Sequence, residues 1–206
     1  AGIISSRGAV LFIAVNALLF VATTLTINPL CAWLSPVALF VVMFYSYCKR
    51  FTALAHLVLG ISLGIAPVGA YIAVTGTTAP ECWLLAAVVT TWCAGFDIIY
   101  ALQDAEFDRK RGLCSIPSRF SAFTSLVISA LLHVVSLSMI VTYTLYQPQS
   151  WLAWLGCVLF AAILLLEHIL VTPTRQRNIG IAFGTLNALA SVAYGVALIL
   201  NLLIFY

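Results

Sequence analysis

Asp97, Asp104 and Asp108 are separated by seven and four residues within FDIIYALQDAEFDRKRGLCSIP, residues 96–117. At about 100° per residue an unbroken helix puts them near 0°, −20° and +20°, on one face, with Tyr100 beside them near −60° and Glu106 opposite, near 180°. Glu106 is therefore left out of the site. Three stacked carboxylates repel one another unless something positive joins them. Oxygen-only ligands on a helix suit a hard cation such as Mg²⁺, which keeps several waters and bridges carboxylates to substrate phosphates. A solvated loop with incidental acids would show the same spacing. Asp97 argues against that reading, because it ends an apolar run, where an ionised group is costly (about 2.5–3.5 kcal/mol at mid-helix, less near the interface).

The segment YSYCKRF supplies the complement. Tyr45 and Lys49 stand at i and i+4, and Arg50 follows at once. Alone, the trio reads as an interfacial anchor; beside an acidic stripe on the same membrane side, a diphosphate clamp is the better reading. In LGISLGIAPVGA, residues 59–70, Gly60, Gly64, Pro67 and Gly69 read as a close-packing face with a possible kink at the proline. Gly112 and Pro117 read as the break that ends the acidic helix.

The elements that position these residues are apolar. The chain has 206 residues, 64% hydrophobic and only 7% charged, with mean hydropathy +1.14, whereas soluble domains carry about 25% charged residues. Seven apolar runs cover 8–27, 30–48, 54–74, 82–100, 120–146, 151–172 and 179–205, each near the ~20 residues a helix needs to cross the hydrocarbon layer. They lack the short alternation of barrel strands. The expected fold is an all-α, polytopic transmembrane helical bundle, a single domain over 1–206. With seven spans all nine Lys and Arg residues fall on one side. By the positive-inside rule that side is cytoplasmic, with the N-terminus in. Basic residues that bind an anionic substrate would bias the same loops, but four separate loops agree, so topology is the main cause. The six cysteines show no metal-ligand or redox spacing, so neither zinc nor disulfides are expected. No cleavable signal sequence and no soluble second domain are read, and a net charge of +3 does not point to nucleic acid.

The pattern D-x2-Y-A-x2-D-x3-D-x4-G-x2-S-I-P over 97–117 resembles the second aspartate-rich motif of the UbiA superfamily of intramembrane prenyltransferases. Y-x3-K-R at 45–50 resembles its Tyr/Lys element, and the Gly/Pro run also fits. EHILV at 167–171, with Phe183 and Asn187, resembles the C-terminal helices of the bacterial 4-hydroxybenzoate polyprenyltransferase branch. The resemblance covers essentially the whole chain, and the second motif is its most specific part. Ser121 departs from it, standing where the family has Gly, with little consequence expected. The family has nine helices and two aspartate-rich motifs, and only the second motif is present here. AGIIS at the start resembles the segment that follows the first motif, and Ala1 is not an initiator Met. The resemblance therefore implies a member lacking its first two helices and first motif, and inactive as this fragment alone.

What the resemblance implies is Mg²⁺-dependent transfer of a polyprenyl group from a polyprenyl diphosphate to an aromatic acid such as 4-hydroxybenzoate, in quinone (ubiquinone) biosynthesis. The setting it implies is the lipid of a bacterial inner membrane, with the active site facing the cytoplasm. Asp104 and Asp108 would hold the metal; Lys49, with Arg50, would neutralise the leaving diphosphate; Tyr45 and Tyr100 would line the substrate site. Asp97 would orient the acceptor's phenol or help remove a proton, and Arg50 is an alternative partner for the acceptor's carboxylate. Glu167 and His168 read as a pair near the cytoplasmic interface, and Asn187 as an interhelical hydrogen-bonder. A dihydroxynaphthoate-type acceptor in menaquinone synthesis is the nearest alternative. A CDP-alcohol phosphotransferase would need Asp-Gly and Gly-Asp spacings that are absent. A transporter would carry ionisable groups at mid-span, whereas the charges here gather at one face.

Overall fold

The structure, a computed structural model, describes residues 5–205. Residues 1–4, which include Ala1 and most of AGIIS, lie outside the described residues. The apolar runs fold as helices α1 (Ser6–Ile27), α2 (Pro29–Cys48), α3 (Ala55–Thr75), α4 (Pro80–Ala101), α7 (Ala122–Leu145), α8 (Trp151–Leu170) and α9 (Asn187–Phe205). Two short helices, α5 (Ala105–Lys110) and α6 (Ile116–Arg119), fill the loop between α4 and α7. Among the described residues seven helices are long and apolar enough to cross a membrane. The architecture is the expected all-α polytopic bundle, and its spans begin and end close to the runs read from composition.

Local chemistry sets the boundaries. Asn28 caps α2 by accepting from Cys31 N (2.9 Å), while its Nδ2 donates to Ile72 O of α3 (2.8 Å), tying two helix ends together. Pro29 and Pro80 start α2 and α4, positions where the missing N–H costs nothing. Gly76 ends α3 and Gly112 follows α5, both at positive φ (72° and 67°), which favours glycine. Ser115 and Ser118 form a capping box around Pro117 at the start of α6. Ser121 caps α7, accepting from Thr124 N at 3.1 Å. The serine in the expected glycine position thus contributes a cap, typically about 1 kcal/mol.

Helix α4 is the spine. It packs between α3 and α7 and supplies buried Cys82, Val88 and Ile99 to three successive apolar clusters along the bundle. Its seam with α3 depends on the glycines. A Cβ at Gly60 would run into the Thr90 carbonyl, and one at Gly64 into the Thr90 side chain and the Ala86 carbonyl, whereas one at Gly69 meets nothing within 4 Å. The packing reading holds for Gly60 and Gly64, and Pro67 lies inside a continuous α3. Gly60→Ala is expected to lower thermal stability in detergent by about 1–3 kcal/mol through overpacking, and Gly69→Ala to leave it unchanged or higher. Identical melting of both variants would mean that the seam is loose.

Alternating spans bring residues 49–54, 102–121 and 171–180 to one end of the bundle. Cys114 N donates to Lys49 O there at 2.6 Å, joining two of the basic loops. The acidic stretch is suspended between them.

Candidate active site

The acid-bearing helix is not continuous. A 3₁₀ turn, Leu102–Asp104, separates α4 from α5. Three residues per turn instead of 3.6 adds about 20° per residue, about 60° over the turn. Asp104 and Asp108 are therefore rotated away from Asp97, and the shared face of an unbroken helix becomes a splayed one. Among the described residues no three His, Cys, Asp or Glu side chains converge as a metal cluster. Each of the three aspartates has its own environment.

Asp97, 9% exposed, meets a residue that sequence reading passes over. His56 of α3, 1% exposed, lies with Nδ1 2.7 Å from Asp97 Oδ2. Ile116 N–H donates to His56 Nε2 at 3.2 Å, so Nε2 carries no proton. The neutral ring then bears its proton on Nδ1 and donates it to the Asp97 carboxylate. One imidazole thus links α3, α4 and the SIP segment at 115–117. Its only sequence signal is a histidine in an apolar run at the basic end; buried polar groups require partners, and Asp97 is one.

Asp108 is buried at 2% exposure although its neighbours are exposed. Lys49 Nζ stands 3.5 Å from Asp108 Oδ2, the expected lysine on one of the expected acids. Asp104 stands at the N-cap position of α5 with no side-chain capping bond and is solvent-exposed, one helical turn before Asp108. Among the described residues it has no ion-pair partner. Glu106 is exposed and bridges to Lys110 at 2.7 Å, apart from the Lys49–Asp108 pair. Arg50 is exposed and lies over the Tyr47 ring, 5.2 Å from its centroid, and Tyr45 is half-buried. Tyr100 is 39% exposed and packs on Phe183 with centroids 4.2 Å apart.

Glu167 and His168 are not an interfacial pair. Glu167 has 0% exposure and neither carboxylate oxygen has a hydrogen-bond partner. His133 of α7 holds Nδ1 3.0 Å from His168 Nε2 and 3.9 Å from Glu167 Oε2. His133 packs on Gly95, about 200° around α4 from Asp97, so this cluster lies on another face of α4. Asn187 makes the expected interhelical bond, accepting from Trp92 Nε1 at 2.8 Å.

The geometry places one exposed carboxylate, Asp104, a turn from the buried Asp108 paired with Lys49, with a second buried carboxylate, Asp97, anchored by His56. The sequence pattern of the UbiA prenyltransferase family matches residues 1–191. The chain is 32% identical over 183 residues to the 4-hydroxybenzoate octaprenyltransferase of Edwardsiella ictaluri (strain 93-146), covering 88% of this chain and 63% of that one. It is 29% identical over 203 residues to that of Shewanella halifaxensis (strain HAW-EB4), covering 98% and 70%. The apo structure of a UbiA homolog from Aeropyrum pernix K1 superposes with a TM-score of 0.82 at 27% identity, covering 98% of this chain and 74% of that one. The chain spans between six and seven tenths of the length of these curated relatives.

Proposed function

The chain belongs to the UbiA prenyltransferase family, and on that premise we propose that it transfers a polyprenyl group from a polyprenyl diphosphate to an aromatic acid of the 4-hydroxybenzoate type, in quinone biosynthesis, at the cytoplasmic face of a bacterial inner membrane. The observation that carries this reading is the exposed Asp104 carboxylate one turn from the Asp108–Lys49 pair. Asp104 and Asp108 offer hard oxygen donors at i and i+4, which fits Mg²⁺ as a partial ligand set completed by waters and diphosphate oxygens. The metal would supply charge neutralisation for the diphosphate as it leaves.

The residues then divide the work. Lys49, held at the edge by Asp108, adds positive charge where the allylic C–O bond breaks and the diphosphate departs with the electron pair. Arg50 and Tyr45 flank it on the same helix end. Asp97 has one oxygen committed to His56 and presents the other to the acceptor, accepting its phenolic O–H and orienting the ring; the ring proton displaced by the new C–C bond leaves to a base or to water. Names of relatives at about 30% identity favour 4-hydroxybenzoate over a dihydroxynaphthoate acceptor.

The test uses the protein expressed from its complete reading frame, in membranes, with a polyprenyl diphosphate and either 4-hydroxybenzoate or 1,4-dihydroxy-2-naphthoate. Prenylated 4-hydroxybenzoate should form with Mg²⁺ and disappear with EDTA. Transfer confined to the naphthoate would replace the acceptor class, and absence of any transfer would remove the proposal.

A further inference from the structure

Helix α9 is preceded by a π-helical turn, Ile181–Leu186. Such a turn holds one residue more than an α-turn and rotates everything before it by about 100° relative to a continuous helix. Phe183 lies within this turn, and its ring is 5.5 Å from Phe96 and 4.2 Å from Tyr100.

Asn187 holds this irregular turn in place. Its Nδ2 donates to Ala182 O and Phe183 O, both at 3.1 Å, inside the widened turn. Its Oδ1 accepts from Trp92 Nε1 at 2.8 Å. One buried carboxamide, 7% exposed, therefore saturates itself by tying the π turn to α4. Trp92, Phe96 and Tyr100 follow each other at i, i+4 and i+8 on α4, with the Trp92 and Phe96 centroids 5.7 Å apart. The aromatic row runs from the interior towards Asp97 and Asp104 and reaches the edge at half-exposed Tyr100. Of these rings only Tyr100 belongs to the residues expected above to line the substrate site.

We propose that Asn187 is a positioning residue that fixes Phe183 against Phe96 and Tyr100, so that the three rings form an aromatic wall along which the ionised prenyl group is passed to the acceptor. This rests on the prenyl-transfer reading. Aromatic faces attract a cation that water would otherwise trap. Capture by the acceptor makes a C–C bond and releases a ring proton. Capture by water makes a C–O bond, loses a proton from the water and yields free prenyl alcohol. Both routes release one diphosphate per donor consumed, so the ratio of prenylated acceptor to diphosphate reports the wall separately from ionisation.

The experiment compares wild type with Asn187→Leu, Phe183→Leu and Phe183→Tyr, from the complete reading frame, using a polyprenyl diphosphate, Mg²⁺ and 4-hydroxybenzoate. Diphosphate, prenyl alcohol and prenylated acceptor are all quantified. Asn187→Leu and Phe183→Leu should each lower the coupled fraction at least tenfold while diphosphate release falls less than fivefold. Phe183→Tyr, which keeps the ring, should restore coupling. A purely structural role for Asn187 would lower diphosphate and prenylated product in parallel, and that result overturns the proposal. So does an unchanged coupled fraction in folded Asn187→Leu. If Asn187→Leu does not fold, Trp92→Phe takes its place: it keeps a ring at 92 but removes the donor to Asn187 Oδ1, and an unchanged coupled fraction there overturns the proposal. A wild type that releases no diphosphate sinks the transferase reading and this proposal together, whereas coupled wild-type transfer with fully coupled variants sinks this proposal only.

Discussion

Asp104→Asn is expected to abolish most prenyl transfer, by roughly 10²–10³-fold, the usual cost of removing a preorganised charge at a reacting centre, while leaving the melting temperature unchanged. Asp104 is exposed and unpaired among the described residues, so the amide removes the charge proposed to bind the metal without disturbing packing. Asp108→Asn should cost as much activity, with some stability lost as well, because Asp108 is buried against Lys49. Glu106→Gln supplies the contrast. Its carboxylate sits between these two in sequence, yet it is exposed and bridged to Lys110, and surface pairs of that kind contribute about 0–1 kcal/mol. Activity within about twofold of wild type is expected there. The measurements are the initial rate of Mg²⁺-dependent prenylation, its dependence on Mg²⁺ concentration, and melting in detergent. A higher Mg²⁺ requirement should accompany the loss in Asp104→Asn. Equal losses in Asp104→Asn and Glu106→Gln would remove the assignment.

These variants also mark where sequence reasoning holds and where it stops. The seven spans are legible because length and hydropathy alone decide whether a helix crosses a bilayer, and nothing in tertiary packing overrides them. Lys49 beside Asp108 is legible too, since opposite charges gathered at one membrane edge tend to meet. The common face of the three acids is not. It assumes one helical register over 97–108, and a three-residue 3₁₀ turn that composition does not announce shifts that register. The same holds for the π turn before Asn187, a local change of winding around Phe183 that composition does not announce either. His56, His133 and Glu167 illustrate a second limit. Each is a polar residue within an apolar run, and its partner lies 41, 35 or 34 positions away, a distance over which periodicity carries no information. The Glu167–His168 pair looks interfacial by its position near a helix end. Packing of α7 over α8 buries it instead.

His56→Leu should produce the other large effect, on stability and on catalysis together. The leucine fills the volume but leaves the buried Asp97 carboxylate and the part-buried Ile116 N–H without their partner. Orphaning a buried charge-assisted hydrogen bond costs about 2–4 kcal/mol, enough to lower melting in detergent by several degrees. Catalysis should suffer beyond that loss, because Asp97 would no longer be held with one oxygen committed and the other presented to the acceptor. His56→Gln can keep both contacts, its amide N–H donating to Asp97 and its carbonyl accepting from Ile116, so most stability and activity should return. The double variant His56→Leu/Asp97→Asn separates the two roles. An amide at 97 requires no buried counter-partner for a charge, so melting should recover towards wild type, while transfer should stay low because the anionic acceptor for the phenol is gone. Full stability of His56→Leu alone would show that Asp97 does not depend on the imidazole. Recovery of transfer in the double variant would show that its carboxylate takes no part in the reaction.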